Sequence, residues 1–304
     1  MTSANESGID LTSMSTPDRI DTRIGALSFR DGAPSIETAE TLYDHLDFMR
    51  GVDVFLNAFQ GASTYAARQG FLSVGAKDNS IIIFSELMDS NSLFLTANAD
   101  TIYFIGVISL ADGPMVVETP PMALGVFDDM WFRWIIDFGL PGPDRGAGGK
   151  FLLLPPGYDA DLPDSGFHVG RSRTERVILL GRSFLKDNDP KPTVDEIKQT
   201  LKIYPYSPGA FGTSIATLLE GEVSAHQATP PPPTKFIEGS GLSFNTLPAS
   251  DFHFYEQLNA LVQEEAGDAA DPEIMGQLAA IDTVRQGVAR PGDGQTFPPR
   301  TFVR

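Results

Sequence analysis

Between residues 79 and 182 the chain breaks into short apolar runs, each closed by a turn signal, and no helical period connects them. The runs are 81–87, 93–96, 102–110, 115–118, 131–138, 151–154, 166–169 and 177–180. Asp89-Ser90-Asn91, Asp112-Gly113-Pro114, Pro141-Gly142-Pro143-Asp144, Pro155-Pro156-Gly157 and Pro163-Asp164-Ser165-Gly166 separate them. Val, Ile, Phe and Tyr fit a pleated, half-buried surface, so the runs read as strands. With no helix between them to carry a crossover, they should pair antiparallel in a sandwich or barrel.

Helical periods lie on either side. After Pro34-Ser35 a helix is expected to about Arg50, with Leu42, Leu46 and Met49 on one face packed on the rest of the protein. A second helix follows Gly51, carries Val52, Phe55, Leu56 and Phe59, and fades near Gly70. Past Asp189 a capping box, Thr193 to Glu196, opens a helix with Val194, Ile197 and Leu201. Phe254, Leu258, Leu261 and Val262 mark another, and Asp271-Pro272 begins the last, with Leu278 and Ile281. The fold class expected is mainly β with helical decorations (α+β), an antiparallel β-sandwich flanked by N- and C-terminal helices. Its parts are a disordered leader over 1–33, a helical segment over 34–78 and the sandwich over 79–189. A helical and proline-rich extension over 190–287 and a disordered tail over 288–304 complete it.

Charge narrows the function classes. The formal net charge is -18 with no basic block, and such a surface repels phosphate backbones and anionic lipid, so no nucleic-acid role is expected. No apolar stretch is long enough to span a bilayer. The first residues show neither a basic n-region nor an apolar h-region, so no secretory signal is read and the cytoplasm is the default compartment. The chain has no cysteine, which excludes thiolate chemistry.

Most motifs fail on inspection. GPDRGAGGK, residues 142–150, is no phosphate loop, because Asp144 stands where a glycine is needed and Phe151 where Ser or Thr is needed. It reads as a glycine-rich loop between strands. No nucleophile elbow and no zinc-type histidine pair occur, and His45, His168, His226 and His253 are isolated; no metal set is assigned and the cofactor is unknown. Asp128, Asp129 and Asp137 could bind a hard cation or act as acid and base, but Asp128-Asp129 reads rather as a solvated turn ahead of a strand in which Trp131, Arg133 and Ile135 share a face, and Asp137 at its end as the partner of an arginine. The segment 98–101 is the most suggestive. Asn98, Asp100 and Thr101 can fold back on nearby amides as a turn, and the same groups can present an amide, a carboxylate and a hydroxyl at the rim of a sheet. Alternation then lets Thr101 and Tyr103 share one face while Ile102 and Phe104 enter the core.

The run TANADTIYFIGVISLADGPMVVETP resembles the bacterial family catalogued as domain of unknown function 1254, as do Asp137-Phe138-Gly139, GGKFLLLPPGY and VILLGR. The resemblance covers Glu37 to about Gly287. It implies jelly-roll-like β-sandwich domains, often in exported or envelope proteins that oligomerise, normally followed by a companion domain of unknown function 1214. The family-like positions are Asn98, Asp100, Thr101, Tyr103, Asp137, Gly139, Gly148, Gly149 and Arg182. No export signal is read in this sequence, and it stops about where the companion would begin, as expected of a fragment, an altered reading frame or a naturally shortened member.

Two functions follow as expectations. The first is a ligand-binding or assembly module that forms a homo-oligomer or pairs with a companion β domain, using Asn98, Thr101, Asp137 and Arg182. The alternative is a hydrolase or lyase on a small polar substrate, with Asp100, Tyr103 and His168 as catalytic groups. Spatial convergence of these side chains separates the two, because acid–base work needs hydrogen-bond reach.

Overall fold

The apolar run after Asp100 becomes the centre of the molecule. The computed structural model describes residues 16–207, 231–265 and 271–281. In it six strands form the main sheet, in the order β14 (Lys235–Glu238), β4 (Ser80–Ile83), β6 (Thr101–Ser109), β12 (Arg176–Phe184), β8 (Ala123–Asp129) and β9 (Trp134–Gly139). A second sheet runs β11 (His168–Arg171), β10 (Lys150–Leu154), β7 (Met115–Glu118) and β13 (Lys202–Pro205). A two-stranded sheet joins β5 (Ser92–Leu93) to β15 (Phe244–Asn245). The described helices are α1 (Ile36–Asn57), α2 (Phe59–Ser73), α3 (Pro190–Thr200), α4 (His253–Glu264) and α5 (Pro272–Ala280). The fold is mixed α+β, and no sheet closes into a barrel among the described residues.

Alternation along β6 and β12 sorts the two faces of the main sheet. Ile102, Phe104, Ile108, Val177 and Leu179 point to one side, where they meet Val117, Phe151, Leu153 and Ile203 of the second sheet and Val194, Ile197 and Leu201 at α3. Gly125 and Gly181 are paired across β8 and β12 on that side. A methyl at Gly181 would sit 2.2 Å from the Phe104 ring, and one at Gly125 2.0 Å from Phe138, so the glycines make room for the aromatics. Ile82, Ile105, Val107 and Ile178 point to the other side, beneath α2 and α4. There α2 presents Gly61, Ala62, Ala66, Ala67 and Gly70, residues small enough for close approach.

Several expectations need correction. A strand was not foreseen over β8, because its two aspartates resemble a turn. The strand runs into both, and the turn is made after them: Asp129 Oδ1 accepts from the Trp131 and Arg133 N–H groups at 2.8 and 3.0 Å. Trp131 and Arg133 therefore belong to the turn, and β9 starts at Trp134. The run 93–96 pairs only at Ser92 and Leu93. Pairing is antiparallel through the middle of the main sheet, but β14 lies parallel to β4 and β11 parallel to β10. The β10–β11 crossover contains no helix, which is why helical periodicity gave no warning of it.

The helices also differ. Gly51 does not end α1; it is buried inside it and its carbonyl accepts from the Tyr255 hydroxyl at 3.0 Å. Asp189, not Thr193, caps α3, and the Thr193 hydroxyl donates to the Phe184 carbonyl. Leu42, Leu46, Met49, Val52 and Leu56 are between 37% and 64% exposed, so these positions face outward, while Phe55 of the second stripe packs on the core, its ring 4.7 Å from that of Phe254. Within the stretch read as leader, β1 (Arg19–Thr22), β2 (Gly25–Arg30) and β3 (Ala33–Pro34) form a small antiparallel sheet. The Ser28 N–H ties it to the Thr38 hydroxyl of α1. Residues 1–15, His226 and the tail over 288–304 lie outside the described residues.

Candidate functional site

The turn ahead of β6 is built by Asn98. Its Oδ1 accepts from the Asp100 N–H at 3.3 Å and the Thr101 hydroxyl at 2.7 Å. The Asn98 N–H in turn donates to the Tyr103 hydroxyl at 3.4 Å. Asn98 and Thr101 thus shape the turn, and Thr101 is buried in doing so. Asp100 is exposed at its tip; among the described residues its carboxylate has no hydrogen bond, and it is not part of the lining of the cleft beside Tyr103.

Tyr103 and Arg182 are directly paired across β6 and β12. Residues so paired hold their Cβ atoms about 5 Å apart on one face. They share that face with Ile105, Leu180, Leu124 and Val126, and these side chains line a cleft of about 370 Å³. Phe94, Leu95, Thr96, Ala97 and Pro141 wall it in. The same face of the sheet is covered by α2 and α4 farther along, so the cleft occupies the part they leave open.

Arg182 is half-buried there, and among the described residues it has no hydrogen bond or ion pair. Arg176, six residues earlier on β12 and on the same face, is bound on every side. It donates to Glu265 Oε1 at 2.9 Å and lies 3.3 Å from Asp78 Oδ2 and 3.5 Å from Glu264 Oε2. Arg68 of α2 joins the cluster through Asp78 and Glu264, both at 2.9 Å. Burial pushes the Glu265 carboxyl up to about 7, against the pull of Arg176.

The other sequence-derived candidates stand apart. Asp137 pairs with Val126 in the β8–β9 ladder. It lies two strand spacings and one pleat from Arg182, roughly 12 Å on ideal sheet geometry. The arginine partner expected for it is absent among the described residues. Asp128, one pleat beyond Val126 on β8, is buried rather than in a solvated turn. Its carboxyl is pushed up to about 6 by that burial and by the charges of Asp129 and Asp137. Asp129 instead holds Arg133, at 2.7 Å.

His168 is on the second sheet, its ring 5.0 Å from that of Phe151. Phe151 fills the space between the sheets, so the main sheet itself stands between His168 and Tyr103. Beside it the glycine-rich loop wraps Asp144, whose Oδ1 accepts from the Gly139 N–H at 2.8 Å. Gly139 has φ +77, and a methyl there would strike the Ala123 carbonyl oxygen at 2.0 Å. Gly149 leaves the space into which the His168 ring and Asp144 Cβ fit, 3.1 and 3.2 Å from where its own methyl would be. These family-like glycines are thus accounted for by loop geometry.

The structure brings together Tyr103 and Arg182, with Asn98 one hydrogen bond away, and does not bring Asp100, Asp137 or His168 to them. Sequence reading missed the apolar lining, Leu124, Val126 and Leu180. The period-two series Arg176, Ile178, Leu180, Arg182 was the available signal: an arginine at each end of an apolar strand face.

Fold and cleft define a mixed α+β protein with one half-open sheet face. Residues 79–205 match the family model described as "Protein of unknown function (DUF1254)", so the chain carries a segment of that family. No curated protein sequence matches it. It resembles the crystal structure of the VPA0106 protein from Vibrio parahaemolyticus, at 19% identity over 82% of this chain, with a TM-score of 0.47. The chain spans 54% of that protein's length. No described helix is long and apolar enough to cross a membrane.

Proposed function

We propose that this protein is a ligand-binding module whose site is the cleft over the open half of the main sheet. The cleft itself carries the reading: about 370 Å³ lined by apolar side chains with only a few polar groups, the usual character of a small-molecule site. Asn98 and Thr101 serve by fixing the turn that places Tyr103. The dispersal of Asp100, Asp137 and His168 favours binding over acid–base catalysis, since no two of the three share a site. The test is fluorescence titration with the neutral apolar dye Nile red, comparing the native protein with Leu124→Trp, which fills the cleft. A saturable signal that the tryptophan removes supports the proposal. A signal indifferent to Leu124→Trp overturns it.

A specific observation favours association as a second part of the function. The outward stripe of α1, from Leu42 to Leu56, is a run of large apolar side chains of the kind monomers seldom leave in water. The proposed partner is a second copy or a companion β domain. The two facing sheets also support the jelly-roll-like sandwich reading. Sedimentation velocity across the micromolar range tests association, and a clean monomer throughout would remove it.

A further inference from the structure

We infer that the ligand of this cleft is an apolar carboxylic acid, bound as its anion by Arg182 and Tyr103. The inference rests on the cleft being a binding site and adds the chemical class of what enters it. Among the side chains lining the cavity, Arg182 alone carries a charge, although the chain as a whole has a net charge of -18. A half-buried guanidinium has lost part of its water, and Arg176 on the same strand shows how the protein compensates elsewhere, with carboxylates. At Arg182 no protein carboxylate performs this task among the described residues, which leaves its fork of N–H donors for an incoming one.

Tyr103 points to the same ligand. Its oxygen already accepts a hydrogen bond, from the Asn98 N–H, so the hydroxyl proton remains to be donated. Arg182 and Tyr103 therefore both offer donors, at adjacent positions on neighbouring strands. A carboxylate, which only accepts and carries the opposite charge, matches them; a hydroxyl can accept but brings no charge and a donor of its own, and an ammonium cannot accept at all. One guanidinium with no lysine or second arginine in the lining suits a single negative charge better than a phosphate dianion. Apart from the Thr96 hydroxyl, the rest of the lining, Ile105, Leu124, Val126, Leu180 and Phe94 among it, offers no polar side chain, so the body of the acid is largely hydrocarbon.

The test is calorimetric titration with octanoate, octanol and octylamine, which share a chain and differ in charge. In the native protein octanoate should bind at least tenfold more tightly than octanol, and octylamine most weakly. Arg182→Met should bring octanoate to the level of octanol, Arg182→Lys should retain part of the preference, and Tyr103→Phe should weaken octanoate about fivefold and octanol by less. If octanol and octanoate bind the native protein equally, the carboxylate inference falls and the cleft reading stands. If none of the three binds at millimolar concentration, both fall. Should Arg182→Met fail to fold, the native octanoate-to-octanol ratio and the Tyr103→Phe titration decide the matter.

Discussion

Two arginines six residues apart on β12 face the same side of the same sheet and meet opposite fates. Arg176 lies where α2 and α4 cover the sheet, and Asp78, Glu264 and Glu265 gather around it. Arg182 lies where the helices have ended, beside Tyr103 and among apolar side chains. Under the helices a charge must be neutralised by the protein, because removing it from water is costly and only a close partner offsets that. In the open half the half-buried guanidinium has no partner among the described residues, which is what the proposed ligand would supply. Whether an arginine on this face is structural or functional is decided by where the helical layer stops.

Breaking the covered half should produce the largest effect. Arg176→Met leaves the buried Glu265 without its cation and Asp78 and Glu264 with Arg68 alone, and should lower stability by about 3–5 kcal/mol. Arg182→Met, with no hydrogen bond or ion pair to lose among the described residues, should change stability by no more than about 1 kcal/mol. Urea denaturation of the two variants side by side checks the contrast, and equal losses would dissolve it.

Asp128 lies on the same face, paired with Ile178 between the two arginines along the sheet. Its carboxyl is raised from 3.8 to about 6, so the folded protein holds that proton more tightly than the unfolded chain does. The group therefore costs nothing below about pH 4, and stability falls as pH rises from there through 6. Asp128→Asn should relieve this, raising stability at pH 8 by up to ~3 kcal/mol and leaving it unchanged at pH 4. Thermal melts of both proteins across that range give the answer, and a gain independent of pH would refute the assignment.

Smaller effects are expected at the turn that borders the open half. Asn98→Ala removes the acceptor for the Asp100 N–H and the Thr101 hydroxyl and should cost about 1 kcal/mol. It should also weaken Nile red binding in the cleft, since the turn positions Tyr103. Asp100→Asn, at an exposed carboxylate without a hydrogen bond, should stay within about 0.5 kcal/mol and bind the dye as the native protein does. A collapse of binding in Asp100→Asn, measured by the same titration, would return that residue to the centre of the site.

Legibility in the sequence followed the range of the interactions. The central strand, β6, was readable because period-two alternation is a local property, and its inward residues Ile102 and Phe104 are in the core as expected. The apolar faces at α3 and α4 were readable for the same reason. β8 was not, since Asp128-Asp129 resembles a turn until the ladder to β12 buries both residues. The outward stripe of α1 was misread because amphipathic spacing shows that a helix has an apolar face and not which way that face is turned. Of the candidate site, Asn98, Thr101, Tyr103 and Arg182 stood out in the sequence, while the lining at Leu124, Val126 and Leu180 resembles any other core.

The amino-acid sequence by itself determined a mainly strand-forming middle flanked by helices, a polar turn before the central strand, and the family resemblance that the match over 79–205 bears out. These depend on residue order over a few positions, through backbone preference, alternation and side chain to backbone hydrogen bonds. Tertiary structure alone decided that Tyr103 and Arg182 are neighbours, that His168 is on the far side of the sheet, and that Arg176 is neutralised while Arg182 is not. Those outcomes depend on which strands lie side by side and how far α2 and α4 extend across them, contacts between residues distant in the chain.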